Sequence, residues 1–256
     1  MMHVDTYAYA NRIRAVDPAH KAILAVLLMV LSLVLDRPAT GLLAALWAAG
    51  LALGWAGLPG RAFAKVVLAE TTFIVLGVVG VAISVAGAPP AVAVWYGRVG
   101  PWYLSFSSGS LYLAARLAAR ALGGAAALSF LAMSTPMTDL INLLRRLHLP
   151  ELLLDLMTVS YRYIFVLLES MQRMVVAQES RSGYSSLRCS MRSAAQVGTL
   201  LFLESWQRSR RLDTALESRG GADHLRVLPR EYLSDRRSYV FGAAILASMI
   251  LVRLLL

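Results

Sequence analysis

Residues 66–88 read VVLAETTFIVLGVVGVAISVAGA, and Glu70 is the one charged side chain in this run. An α-helix needs about 20 consecutive apolar residues to cross the hydrocarbon core of a bilayer. The run is therefore predicted to be a transmembrane helix that ends before Pro89-Pro90. Glu70 lies near the beginning of the run, where a long acidic side chain can reach the membrane interface.

Four further apolar runs have the same character, although the first of them is short for a span. They are residues 22–35, 39–58, 110–134 and 239–256. Together with a hydrophobic content of 58% in 256 residues, they predict an all-α integral membrane protein with about five transmembrane helices. Residues 1–134 are expected to form a membrane bundle of four spans, residues 135–237 a cytoplasmic or interfacial region of about three long helices, and residues 238–256 the last span.

The distribution of basic residues predicts the orientation of the chain. With the N-terminus in the cytoplasm, 20 of the 25 Lys and Arg residues fall on the cytoplasmic side. Basic residues are enriched in the cytoplasmic loops of membrane proteins. This orientation accounts for the net charge of +10 without nucleic-acid binding, and five spans put the C-terminus outside.

Residues 152–168, LLLDLMTVSYRYIFVLL, are apolar enough to suggest a sixth span. A span here would place Asp155 and Arg162 in hydrocarbon, at a cost of several kcal/mol. It would also put the basic residues before and after it on opposite sides of the membrane, against the charge distribution. We interpret the segment as a cytoplasmic or interfacial helix.

Two proline-containing turns divide the charged region and are expected to act as structural joints. Thr135 and Pro136 have the form of a hydroxyl N-cap followed by proline at the first helical position. Leu149-Pro150 begins a second helix, which can extend to about Arg181. A third helix is predicted from about Ser185 to Arg219, followed by Gly220-Gly221.

The ends of the two long helices share one phrase: AQESRSG at 177–183 and ALESRGG at 215–221. A basic residue followed by glycine is ordinary at a helix C-terminus, because a cation is favoured there and glycine can adopt the left-handed cap. The repeated Glu-Ser-Arg core favours instead two matched tips that bind a two-fold symmetric partner. The residues of this predicted coupling site are Glu179, Ser180, Arg181, Gly183, Glu217, Ser218, Arg219 and Gly220.

Other candidate residues suggest contacts rather than catalysis. Arg116 and Arg120 share one helical face within the apolar run at residues 110–134, and with Arg162 they are possible contacts to another subunit. The four histidines are scattered without metal-ligand spacing, so no metal site is expected in this chain. No Walker-type glycine loop and no catalytic triad or paired-carboxylate pattern occurs in the sequence.

These motifs resemble the transmembrane T component of energy-coupling-factor (ECF) transporters, in the cobalt-type CbiQ group. The family signature is a pair of Ala/Ser-Arg-Gly motifs at helix ends, matched here at residues 180–182 and 218–220. In the first copy Ser182 replaces the glycine and Gly183 follows one place later. Residues 134–169 resemble the central region of the family, and DTYAYANRIRAVDPAHK at 5–21 resembles its metal-transporting branch.

The resemblance implies a non-catalytic scaffold in an ABC-type importer of a divalent transition metal, cobalt or nickel. The implied partners are two copies of an ABC ATPase subunit, each engaged by one arginine motif, and a separate substrate-binding membrane subunit. It implies that this chain binds no cofactor, that ATP binds to the ATPases, and that the protein is a multi-pass component of the bacterial inner membrane. A stand-alone permease and a membrane-embedded enzyme remain the alternatives.

Overall fold

The computed structural model describes residues 2–35, 37–86, 95–99, 102–218, 220, 232–233 and 235–255. The helices are α1 Met2–Ala10, α2 Pro18–Val34, α3 Pro38–Gly50 with a π-helical turn at Leu51–Trp55, α4 Gly60–Ala82, α5 Ser108–Ser134, α6 Met137–Arg146, α7 Glu151–Glu179, α8 Leu187–Glu217 and α9 Arg236–Leu255. The strands are β1 Ser84–Ala86, β2 Trp95–Val99 and β3 Trp102–Phe106. The chain divides into two compact units, Met1–Leu140 with Glu231–Leu256, and Ile141–Arg230.

Four of the described helices are long and apolar enough to cross a membrane: Pro38–Trp55, Gly60–Ala82, Ser108–Ser134 and Arg236–Leu254. They confirm the prediction of an all-α, multi-pass membrane protein. Helix α2 has the predicted apolar character but only 17 residues. At 1.5 Å per residue it is about 26 Å long, slightly shorter than a typical hydrocarbon core.

Helix α4 begins and ends earlier than the predicted span at 66–88. It starts at Gly60 after Pro59, and its first turns carry Arg61 and Lys65. The long stems of these two side chains can lie along apolar surface, so a helix can extend past the apolar run. The other end was also misplaced, because Ile83 has extended backbone angles (φ −88°, ψ 113°) and β1 follows it. The predicted terminator, Pro89-Pro90, lies outside the described residues.

A three-stranded antiparallel sheet follows α4, and the apolar pattern of the sequence did not predict it. The strand order is β1-β3-β2, with Ser84 opposite Ser105 and Trp95 opposite Phe106. Valine, tyrosine and tryptophan favour strands. Tryptophan and tyrosine are also typical of a membrane interface, so they do not by themselves indicate strands.

Helix α5 lies at the centre of the first unit, in contact with α1, α2, α3 and α4. Helix α5 approaches α3 closely because a glycine on each helix contacts the backbone of the other helix. A Cβ on Gly41 would overlap the carbonyl oxygen of Ala119, and a Cβ on Gly123 would lie 2.6 Å from the carbonyl oxygen of Gly41. Small residues of this kind are the usual contact between membrane helices, which have no hydrophobic driving force between them.

In the second unit, α7 and α8 form an antiparallel hairpin. Both helices end within about two residues of the predicted positions, at Glu179 and Glu217. The start of α8 is set by Ser186, whose side chain accepts a hydrogen bond from the Cys189 amide at 3.3 Å. Such a hydroxyl replaces the helical partner that the first amides lack.

The two predicted joints are turns, and in each the helix that follows starts one residue later than predicted. Thr135 is the C-cap of α5 rather than the N-cap of the next helix, and α6 starts at Met137, just after Pro136. Helix α7 likewise starts at Glu151, with Pro150 in the N-cap position. Thr135 and Pro136 are buried, whereas Pro150 is exposed.

Candidate functional site

The first tip comprises residues 179–183 at the end of α7. Both hydrogen-bond donors of Ser180 bind the carbonyl oxygen of Val176 in the last helical turn. The Ser180 amide lies 3.0 Å from this oxygen and the Ser180 hydroxyl 2.9 Å from it. The last four carbonyl groups of a helix lack amide partners within it. The serine before the arginine therefore helps to complete the helix end.

The chain reverses direction at Ser182, which has a left-handed conformation with φ of 56°. The Ser182 amide donates to the Glu179 carbonyl at 3.0 Å, and the Gly183 amide donates to the Gln178 carbonyl at 2.8 Å. This pair of bonds is a Schellman motif. The prediction assigned the left-handed cap to glycine, and it is wrong for the first tip, where Ser182 takes that position and Gly183 follows it.

Gly183 is required at this tip because of close packing. A Cβ there would lie 2.5 Å from Ser193 Oγ and 2.8 Å from the carbonyl oxygen of Gln178. Ser193 is buried on α8, and its hydroxyl donates to the Gly183 carbonyl at 2.9 Å. This bond fixes the first tip to α8. Ser193 was not predicted, because its role depends on a contact made only in the folded hairpin.

The second tip comprises residues 217–221 at the end of α8, and its described part repeats the first. The Ser218 amide donates to the Thr214 carbonyl at 3.1 Å, and the Ser218 hydroxyl donates to the Ala215 carbonyl at 3.0 Å. Gly220 has φ of 95°, and its amide donates to the Glu217 carbonyl at 3.1 Å. Gly220 therefore occupies the position that Ser182 has in the first tip. Arg219 and Gly221 lie outside the described residues.

The charged groups of the tips are accessible to a partner. Glu179, Arg181 and Glu217 are exposed. Arg181 lines an open cleft together with Arg192 of α8 and the amide side chains of Gln178 and Gln196. Two guanidinium groups and two amides are hydrogen-bond donors suited to a carboxylate. Arg192 was not predicted, because it lies outside the repeated phrase.

A polar network holds the two helices together further from the first tip. The Ser170 hydroxyl donates to Glu204 Oε1 at 2.9 Å, and Arg173 Nη2 lies 2.9 Å from Ser170 Oγ. Hydrogen bonding from Arg208, whose Nη2 is 2.5 Å from Glu204 Oε1, lowers the pKa of that carboxyl from its ordinary value. Charged partners of this type form strong hydrogen bonds. They give the hairpin a defined register.

The three arginines predicted as subunit contacts are distributed over both units. Arg116 and Arg120 are half-buried on α5 in the first unit, and Arg162 is exposed on α7 in the second. Glu70, expected to reach the interface, accepts a hydrogen bond from the Ser129 hydroxyl of α5. Within the described ranges, no group of three or more His, Cys, Asp or Glu residues is arranged to hold a metal ion.

A family model described as cobalt transport protein CbiQ matches residues 10–227. An uncharacterized protein of Methanocaldococcus jannaschii is 32% identical over 224 residues, covering 84% of this chain and 79% of the relative. The cobalt transport protein CbiQ of Salmonella typhimurium is 28% identical, with coverage of 85% and 96%. A protein of Methanocorpusculum labreanum named as a fused cobalt transport protein CbiMQ is 31% identical over 134 residues, 52% of this chain and 22% of that protein.

Proposed function

This chain belongs to the CbiQ family of cobalt transport proteins and is the membrane component of a cobalt transporter, and we propose that it acts there as the coupling scaffold. In this role it is the T component of an ECF importer. It passes the movements of two ATPase subunits to a separate membrane subunit that binds the metal. The chain itself holds no cofactor, and ATP binds to the ATPases.

The observation that carries this proposal is the matching construction of the two tips. Both follow long helices, both have a serine that bonds to the last turn, and both reverse at a left-handed residue in the same place. Two equivalent protrusions suit two equivalent sockets, which a pair of identical ATPase subunits would provide. Arg181 is exposed at the first tip, and Arg219 holds the same place in the repeated phrase.

Arginine is suited to such a socket by its chemistry. Its planar guanidinium can form two parallel hydrogen bonds with a carboxylate, which fixes direction as well as providing energy. Loss of one partner from a buried charged contact typically costs about 2–5 kcal/mol. A movement of the socket would therefore displace the tip, because breaking the contact would cost this free energy.

The other proposed partners follow from the family and the charge distribution. The name of the fused relative joins an M part and a Q part in one chain, which supports a second membrane protein as the partner that binds the metal. The positive-inside distribution supports an inner-membrane protein with a cytoplasmic N-terminus, and with residues 135–237 on the side where ATPases are found.

The proposal is tested by reversing the charge of each tip in the assembled transporter. We expect Arg181→Glu and Arg219→Glu each to reduce cobalt uptake at least tenfold, corresponding to about 1.4 kcal/mol or more. The double variant should lose stable association with the ATPases. ATPase activity, cobalt uptake and copurification are the measurements.

Arg210→Glu is the matched control, because Arg210 is an exposed arginine of α8 outside the repeated phrase. It makes the same change of charge and should leave uptake near the level of the unaltered protein. Normal assembly and uptake in the Arg181→Glu/Arg219→Glu protein would show that the tips are not the coupling site.

A further inference from the structure

Among the described residues, two charged side chains are buried: Lys21, with 0% exposure, and Asp139, with 2%. Lys21 lies in the first part of α2, and Asp139 lies in the first turn of α6. Burial of a charge is strongly unfavourable unless an opposite charge and hydrogen bonds compensate it. The burial of one cation and one anion in the same unit therefore requires an explanation.

Both residues lie at the turn between α5 and α6. Lys21 Nζ donates to the carbonyl oxygen of Ser134, the last residue of α5, at 3.3 Å. Asn11 Nδ2 donates to the same oxygen at 2.9 Å. Asp139 Oδ1 accepts a hydrogen bond from the Tyr232 hydroxyl at 3.1 Å. Side chains from the N-terminal segment and from Tyr232 thus converge on the six residues 134–139.

The two charges match the electrostatics of the helix ends that meet there. A helix C-terminus carries partial negative charge and a helix N-terminus carries partial positive charge. Lys21 caps the C-terminal end of α5, and Asp139 lies in the N-terminal turn of α6. Each charge therefore has a favourable place at the turn around Thr135 and Pro136.

The local structure of the N-terminal segment delivers these side chains to the turn. Asp17 caps α2 by accepting the Ala19 amide at 2.9 Å, and Pro18 occupies the first helical position. The backbone of Leu233 bonds to this segment on both sides, with its amide donating to Ala15 at 2.9 Å and its carbonyl accepting from Asp17 at 3.2 Å. Tyr232, the neighbour of Leu233, is thereby held beside α6.

From this convergence we infer that Lys21 and Asp139 neutralise each other across the α5–α6 turn and form, with Asn11 and Tyr232, a positioning clamp. The clamp stiffens the turn, so a displacement of α6 moves α5 and the N-terminal segment instead of bending the chain at Pro136. Its role in transport rests on the proposed function. These residues act through the helices that they hold, and none of them contacts metal or ATP in this role.

The pairing is tested by a double-mutant cycle in the purified transporter. Lys21→Met and Asp139→Asn should each lower the midpoint temperature of unfolding by on the order of 10 °C, since each removes the proposed counter-charge of the other buried group. The double variant should lose less than the sum of the two shifts. Glu169, an exposed carboxylate on α7, is the control, and Glu169→Gln should cause only a small shift. Additive losses for Lys21 and Asp139 would contradict the pairing.

The positioning role is tested by cobalt uptake per ATP hydrolysed. Tyr232→Phe removes only the hydroxyl that bonds to Asp139, so the protein should fold and assemble, yet transport several-fold less cobalt per ATP. The control Tyr239→Phe alters an exposed tyrosine of α9 and should leave this ratio unchanged. Lys21→Arg, which keeps the cation, should retain more coupling than Lys21→Met.

The results separate the clamp from the proposed function. Unchanged uptake per ATP in Tyr232→Phe and Lys21→Met, together with failure of the Arg181→Glu/Arg219→Glu protein, would remove the clamp and leave the scaffold role intact. If the arginine variants transport normally, the scaffold role fails, and the unfolding cycle still decides whether Lys21 and Asp139 are paired.

Discussion

At the scale of single residues, the two tips differ mainly at the position where the chain reverses. Ser182 holds a left-handed conformation in the first tip, and Gly220 holds it in the second. Side chains other than glycine pay a steric penalty of about 1–2 kcal/mol in this region. The first tip is therefore a strained version of the second.

Exchange of the two residue types should reveal this strain. We expect Ser182→Gly to increase the free energy of unfolding by about 1 kcal/mol, and Gly220→Ser to decrease it by a similar amount. Thermal or denaturant unfolding of the purified transporter measures both changes. A loss of stability in Ser182→Gly would mean that the serine hydroxyl contributes more than its backbone costs.

The repeated phrase identified some residues of the tips and missed others for a physical reason. Ser180 and Ser218 were visible because their bonds are local, within one turn of helix. Ser193, which fixes the first tip to α8, was not visible, since its partner lies 10 residues away in sequence. The glycine of the first tip was found with the wrong role, because steric contact with α8 is not encoded in local sequence.

At the scale of helices, the α7–α8 hairpin depends on the space at Gly183. The Ser193 hydroxyl and the Gln178 carbonyl occupy the positions that a side chain would need. The hairpin therefore tolerates no methyl group there without movement of α8 or of the tip.

Gly183→Ala should destabilise this hairpin by about 1–3 kcal/mol, as expected when an extra carbon enters a packed site. Gly198→Ala is the matched control, because a Cβ there meets nothing within 4 Å. That change should stabilise α8 by roughly 0.5–1 kcal/mol, as alanine does in a helix interior. Hydrogen exchange at residues 178–193 measures both effects. Equal protection in the two variants would contradict the packing account.

Helix ends were predictable where caps and prolines mark them, as at Pro150 and Ser218. Apolar length was a poorer guide for α4, whose first turns are basic and whose last predicted residues belong to a strand. The sheet was missed because its aromatic residues suit both a strand and a membrane interface. Strand pairing depends on residues far apart in sequence, and β1 pairs with β3 across nearly twenty residues.

At the scale of the whole molecule, the chain combines a membrane bundle with a second unit that carries both tips. Helix α5 organises the bundle by close contacts between small residues, and the α7–α8 hairpin organises the second unit. In the proposed transporter the bundle provides the membrane anchor, and the tips receive force from the ATPases.

The central claim, that each tip engages one ATPase subunit, is tested most directly by photocrosslinking in the assembled transporter. A photoreactive amino acid is placed at Glu179 or Glu217, the equivalent exposed residues that end α7 and α8. Exposed Glu169, two to three turns before the first tip, serves as the control position. We predict one crosslinked ATPase from either tip, two from a chain carrying both probes, and none from Glu169. Crosslinking of the ATPase from only one tip, or from neither, would contradict the account.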